Sequence, residues 1–338
     1  MRFNGYKKFI LFMLLFSTAV YAQSITKTGT TAASFLKIGV GSRAIGMGGA
    51  FTANSYDISS MYWNPGALAN ISGNEALFSH VEWFADINYD YAAFASEIPG
   101  FGALGAFVSV LSTDEMPVRT IEKPNGTGEY FDYGTLAVGL CYSRSLTENF
   151  SVGANVKYIN EKLWNMSANG FALDIGTLYR IHVLNELRIA ASISNFGTKM
   201  RLEGRDILHI IQTGANGGNL LNTNLELDEF DLPLMFRFGL AADFLKTDNM
   251  RLTVETDAVH PNDHTEYVNA GTEYSWKETF FVRAGYKSIF EENTEQGLTL
   301  GAGINYRLNG IFSILMDYAY QDFGRLKDVH YMTVGLRF

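Results

Sequence analysis

The chain has 338 residues, 14% of them aromatic, with 33 glycines, six prolines and a formal net charge of −9 at pH 7. That balance argues against a nucleic-acid partner, which needs a basic footprint, and the single cysteine, Cys141, rules out an internal disulfide. Many glycines together with tyrosine and phenylalanine point to a large β protein carrying aromatic side chains on one face of its strands.

Arg2, Lys7 and Lys8, an apolar run over 9–20 and the tripeptide "VYA" ending at Ala22 have the order of an export signal, predicted over 1–22. The apolar run is too short for a spanning helix, which needs roughly 20 residues. Its removal takes three positive charges and changes the formal charge from −9 to −12.

The next stretch, 23–74, is predicted to be an N-terminal hatch or plug. Its core reads "KIGVGSRAIGMGGAFTANSYDISSMYWNPGALANI", with glycines at Gly39, Gly41, Gly46, Gly48 and Gly49. A phosphate-cradling loop would follow a buried strand, open a helix and end in Gly-Lys-Ser/Thr, and this stretch has none of that context. In a segment folded back through a narrow lumen, glycines permit close backbone approach and positive φ. Trp63, Asn64 and Pro65 then mark a turn between short helical pieces, and Arg43 and Asp57 offer charges for the wall to pair.

From residue 75 to 338 the chain repeats one event, eight or more residues of alternation and then a turn rich in Gly, Asn, Asp or Pro. Fourteen strands are predicted: 75–84, 87–98, 102–112, 130–144, 149–161, 169–181, 186–197, 233–244, 249–258, 266–276, 279–289, 297–307, 311–320 and 330–338. In 297–307, Leu298, Leu300, Ala302, Ile304 and Tyr306 face one way and Thr299, Gly301, Gly303, Asn305 and Arg307 the other. Such strands, ending in aromatics, match a membrane core about 25 Å tall, which predicts an all-β, 14-stranded antiparallel transmembrane barrel in contact with outer-membrane lipid. Short connections after the even strands and longer ones after strands 3, 5, 7, 9, 11 and 13 place the former in the periplasm, with both termini. Trp83 and Trp164 are expected near the outer interface and Trp276 near the inner one. The chain ends "HYMTVGLRF", with Met332, Val334, Leu336 and Phe338 facing outward, like the C-terminal signature of outer-membrane barrels.

Lys157, Asp174, Arg237, Glu255, Asp257, Glu273, Arg283 and Asp317 fall on the polar face. Mixed signs in a lumen imply a paired network that braces the wall or holds the plug, with a polar permeation path as the alternative. No catalytic group, cofactor or metal is expected. His260 and His264, four apart, are separated by Pro261, which opposes the helix a metal pair would need. In the loop 198–232, Ile207, Leu208, Ile210 and Ile211 suggest a protein partner or a hydrophobic ligand lip, or else a cap packed on itself.

The segments "FLKIGVGSRAIGMGGAFTA" and "YWNPGALA" resemble the N-terminal signature of the PorV/PorQ family, itself similar to the FadL group of fourteen-stranded outer-membrane barrels with an N-terminal hatch. The resemblance implies a non-enzymatic part in type IX protein secretion or surface attachment, with a secretion translocon and cargo carrying a C-terminal signal domain as partners. The FadL side of the resemblance implies instead a channel for hydrophobic small molecules.

Overall fold

A computed structural model describes residues 28–54, 56–183, 185–213, 218–291, 294–308, 312–326 and 328–338; the predicted export signal lies outside them. Fourteen long strands follow one another: β1 (Asn74–Trp83), β2 (Ile87–Ile98), β3 (Gly102–Thr113), β4 (Tyr133–Ser145), β5 (Phe150–Leu163), β6 (Met166–Ile181), β7 (Leu187–Gly197), β8 (Met235–Lys246), β9 (Met250–Pro261), β10 (Tyr267–Trp276), β11 (Phe280–Ile289), β12 (Leu298–Leu308), β13 (Phe312–Gln321) and β14 (Val329–Arg337). Each pairs antiparallel with the next, and β14 pairs back onto β1, from Arg337 opposite Glu75 to His330 opposite Glu82. The sheet is a closed, all-β, 14-stranded antiparallel barrel. Closure pairs every strand on both sides, which is the condition for placing β backbone in hydrocarbon.

The polarity of the wall is the reverse of a soluble domain's. On β12, Leu298, Leu300, Ala302 and Ile304 are exposed while Thr299, Gly301, Gly303 and Asn305 are buried. Phe78, Phe94, Val156, Phe171, Val282, Met316 and Met332 continue the exposed apolar surface around the barrel. An apolar outside over a polar inside is stable only where the outer surface meets lipid.

The long connections all lie at one end, which also carries the short ones 84–86 and 164–165, and the other end has turns of three to five residues. The short-turn end has 99–101, 146–149, 182–186, 247–249 and 277–279; the long-loop end has 114–132, 198–234, 262–266, 290–297 and 322–328. The turn after β5 is a correction to the predicted long connection. Both flanking strands extend until Leu163 pairs with Met166, and Trp164 closes a two-residue turn at φ 53°, the positive φ that tight hairpins require. A second correction concerns Trp83. It shares the inner parity of β1 with the buried Val81, and its ring packs on Phe84, Phe323 and Tyr331 in the mouth of the barrel rather than on the outer wall. Trp276, at the short-turn end, stacks outside on Phe280.

Residues 31–54 and 56–71 lie inside the barrel. Thr31 bridges Asp231 and Lys37 pairs with Asp263 at 2.5 Å, both at the long-loop end, whereas Asn74 hydrogen-bonds Phe338 at the short-turn end. The segment therefore descends the lumen, and the first and last described residues sit at opposite ends. On the way it forms α1 (Ser42–Gly46), α2 (Ser60–Trp63) and a 3₁₀ turn over Pro65–Asn70.

Candidate functional site

The seat of this segment is built from paired glycines. A Cβ on Gly66 would fall 2.5 Å from the carbonyl oxygen of Gly176 on β6, and one on Gly48 2.8 Å from the backbone nitrogen of Tyr286 on β11. Gly46 meets Gly301 on β12 in the same way, at 3.0 Å. The wall glycines lie on the inner face, so two backbones meet with no side chain between them. Gly41 and Gly49 have φ values of 82° and 72°, where a side chain would be strained.

Polar groups then fix the register. Asp257 on β9 accepts from the backbone N–H groups of Phe51 and Thr52 and from the Thr52 hydroxyl at 2.6 Å, and Glu255 accepts from Ala53 N–H, also at 2.6 Å. Asn64 caps the 3₁₀ turn by accepting from Gly66 N–H at 3.0 Å, and its amide donates to the carbonyls of Thr52 and Thr177. Pro65 follows at the first position of that turn, where no N–H is needed. Trp63 donates its indole N–H to Val40, tying two parts of the segment together.

The inward charges form a connected network around Glu273. Its carboxylate takes Arg43 of the segment at 2.8 Å, Arg283 of β11 at 2.7 Å and Arg251 of β9 at 3.0 Å. Arg43 continues to Asp57 at 2.9 Å and Arg283 to Asp317 at 2.5 Å. Arg251 extends the network to Glu278 in the turn below, at 2.8 Å. Burial pushes that carboxyl up, but hydrogen bonding and charge from Arg251 outweigh it and hold Glu278 below the usual range. On the other side of the lumen Lys157 pairs with Asp174 at 2.7 Å and also contacts Asn195, and Arg237 lies over the Tyr62 and Trp63 rings, 5.6 and 5.5 Å from their centres.

Three further pairs hold residues the sequence reading did not place in the lumen: Arg188, paired with Asp243, which alternation does turn inward, Arg337 with Glu75, and Lys37 with Asp263. The first two could have been found from strand parity, since Arg188 shares a face with Ser192 and Ser194, and Glu75 with Ser79. Asp263 belongs to a loop, where alternation carries no information.

Two regions of the lumen differ in character. Toward the long loops, Leu36, Met61 and Tyr62 of the segment press against Tyr89, Tyr91 and Phe107 on one side, with Lys157, Asp174 and Arg237 on the other, leaving about 20 Å³. Toward the short turns lies a cavity of about 510 Å³ with charged walls. Outside the lumen, Leu208–Gln212 and Leu220–Asn224 form a hairpin. Ile207 lies in the 3₁₀ turn before it and is half-buried, while Leu208, Ile210, Ile211, Leu220 and Leu221 are exposed. His260 and His264 do not converge: each contacts its own carboxylate, Glu266 and Glu291.

Residues 15–172, under half of the chain, match the model of a family described as Uncharacterised protein family (UPF0164). In fold the chain is similar to solved transporters and a FadL homologue. The toluene transporter TbuX of Ralstonia pickettii matches with a TM-score of 0.56 and 12% identity, over 89% of this chain and 98% of that one. The toluene transporter TodX of Pseudomonas putida matches with a TM-score of 0.56 and 14% identity, over 88% and 97%. A FadL homologue of Pseudomonas aeruginosa gives 0.53 and 12%, over 93% and 99%. Likeness at this identity concerns the architecture. No curated protein matches the chain in sequence.

Proposed function

We propose that the protein is a non-enzymatic outer-membrane barrel, plugged by residues 31–71, that passes small hydrophobic molecules when the plug shifts. The observation that carries this reading is the aromatic seam between Met61 and Tyr62 on the plug and Tyr89, Tyr91 and Phe107 on the wall, on a barrel whose architecture is shared with toluene transporters. A gap of about 20 Å³ admits a single water at most, so a solute enters only by displacing plug side chains. Cells producing the barrel should take up a labelled monoaromatic hydrocarbon faster than cells without it, and Tyr62→Ala, which widens the seam, should raise the rate further. Equal uptake with and without the barrel would refute the reading.

The exposed hairpin supports a second reading, the secretion or surface-attachment role that the PorV/PorQ resemblance implies. Five large apolar side chains on a two-stranded projection are costly in water unless a partner covers them. Native pull-down of the tagged barrel in mild detergent tests it. Recovery of a large translocon component or of secreted proteins sharing a C-terminal domain, lost on Ile210→Asp with Leu220→Asp, supports this role. A barrel recovered alone argues against it.

A further inference from the structure

The narrow gap between plug and wall has an aromatic side and a charged one, and the charges of the second are not equivalent. Lys157 and Asp174 pair at 2.7 Å. Asp174 also accepts from the backbone N–H of Asn195 at 2.7 Å and from the Asn155 amide at 3.0 Å. All four residues stand on the wall, on β5, β6 and β7, so this pair does not depend on the plug.

Arg237 does depend on it. Its side chain is on the inner face of β8 and 4% exposed, and among the described residues no carboxylate lies within ion-pair distance of it. The wall offers its guanidinium the hydroxyl of Ser194, at 3.0 Å. The Tyr62 and Trp63 rings, 5.6 and 5.5 Å away, complete its surroundings, and both belong to the plug. Aromatic faces stabilise a desolvated cation, and a buried cation stripped of its partners is costly. When the plug shifts, Arg237 is left with one hydroxyl, as an unmatched charge beside the path of the solute.

We infer that Arg237 makes this path selective for single-ring carboxylates, the ring taking the place of Tyr62 and the carboxylate meeting the guanidinium. The inference rests on the transport reading above and names its substrate class. Size comes from the side chain that withdraws: Tyr62 carries a phenol, and beside a gap of about 20 Å³ it vacates room for one substituted ring. Reach comes from the distance: a ring centred where that of Tyr62 lies is 5.6 Å from the guanidinium carbon, close enough for a carboxyl group carried on the ring to touch it. Charge comes from the fork of N–H donors, which a carboxylate fills with two parallel hydrogen bonds and a neutral hydrocarbon leaves empty.

Initial rates of uptake of labelled benzoate and labelled toluene at neutral pH are measured in cells producing the barrel, with the rates in cells lacking it subtracted. Arg237→Met should lower the benzoate rate about tenfold, the weight of a hydrogen bond to a charged group, and leave the toluene rate unchanged or raised. Arg237→Lys, which keeps the charge without the fork, should fall between native and Arg237→Met for benzoate. Unchanged heat-modifiable migration checks that each variant folds. A competition on the native barrel needs no variant: unlabelled benzoate should slow toluene uptake at concentrations about tenfold lower than benzamide, which has the same shape and no charge. Toluene uptake without benzoate uptake, equal competition by benzamide, or a parallel fall of both rates in folded Arg237→Met would overturn this inference and leave the transport reading standing. No barrel-dependent uptake of either compound would overturn both.

Discussion

Replacing Glu273 by Gln is expected to lower the unfolding free energy of the barrel by about 3–5 kcal/mol, the cost of removing one partner from a buried ion pair. Glu273 is fully buried and serves three guanidinium groups, from the plug, β9 and β11. The glutamine keeps one acceptor oxygen but no charge, and Asp57, Asp317 and Glu278 each reach only one of the three arginines. Urea titration of the refolded barrel in lipid measures the loss. A companion variant, Arg283→Met, removes one cation from a site that still holds two, and the double variant Glu273→Gln/Arg283→Met should recover part of the loss. A change below about 1 kcal/mol for Glu273→Gln would place this cluster with exposed ion pairs and would remove it as an anchor of the plug.

Gly66→Val is expected to unseat the plug with little effect on the barrel. The new Cβ would meet the carbonyl carbon and oxygen of Gly176 at 2.6 and 2.5 Å and the Cα of Thr177 at 2.8 Å, all backbone of a paired strand that cannot withdraw. Overpacking of this kind costs about 1–3 kcal/mol even where the surroundings relax. Here the simpler relaxation is for residues 64–70 to leave the wall. In planar bilayers the native barrel should show little conductance and the variant frequent large openings, with faster tryptic cleavage at Arg43. Native-like conductance and protection in Gly66→Val would mean that the glycine contacts do not hold the segment in place.

The barrel itself was legible in the sequence because its cause is local. A two-residue alternation of apolar with small or polar side chains dictates which face each residue takes, and Leu298 to Asn305 lie as that alternation requires. Trp83 shows the limit of the same logic. Counting from the exposed Phe78 and Glu82 puts it on the inner face, but a general preference of tryptophan for membrane interfaces suggested contact with headgroups at the outer interface. The boundaries at Leu163 and Met166 were missed because the stretch 162–168, without strong alternation, can equally be a loop or the ends of two strands.

What the sequence determined by itself was the wall: its strand number, its inside and outside, and many of its inward charges, Glu273, Arg283 and Asp317 among them. Only the tertiary structure decided which charges meet, because Arg43 and Glu273 are 230 residues apart and their pairing depends on how the N-terminal segment winds through the closed barrel. It also decided that Gly66, Gly48 and Gly46 face glycines on β6, β11 and β12, whereas Gly39 and Gly49 pack on Trp63. Glycine in a sequence signals conformational freedom or close approach without saying to what. The guanidinium of Arg237 is of the same kind. The arginine is visible in the chain, but a cation without a counterion is a property of space, and appears only when the charges around it have found their partners.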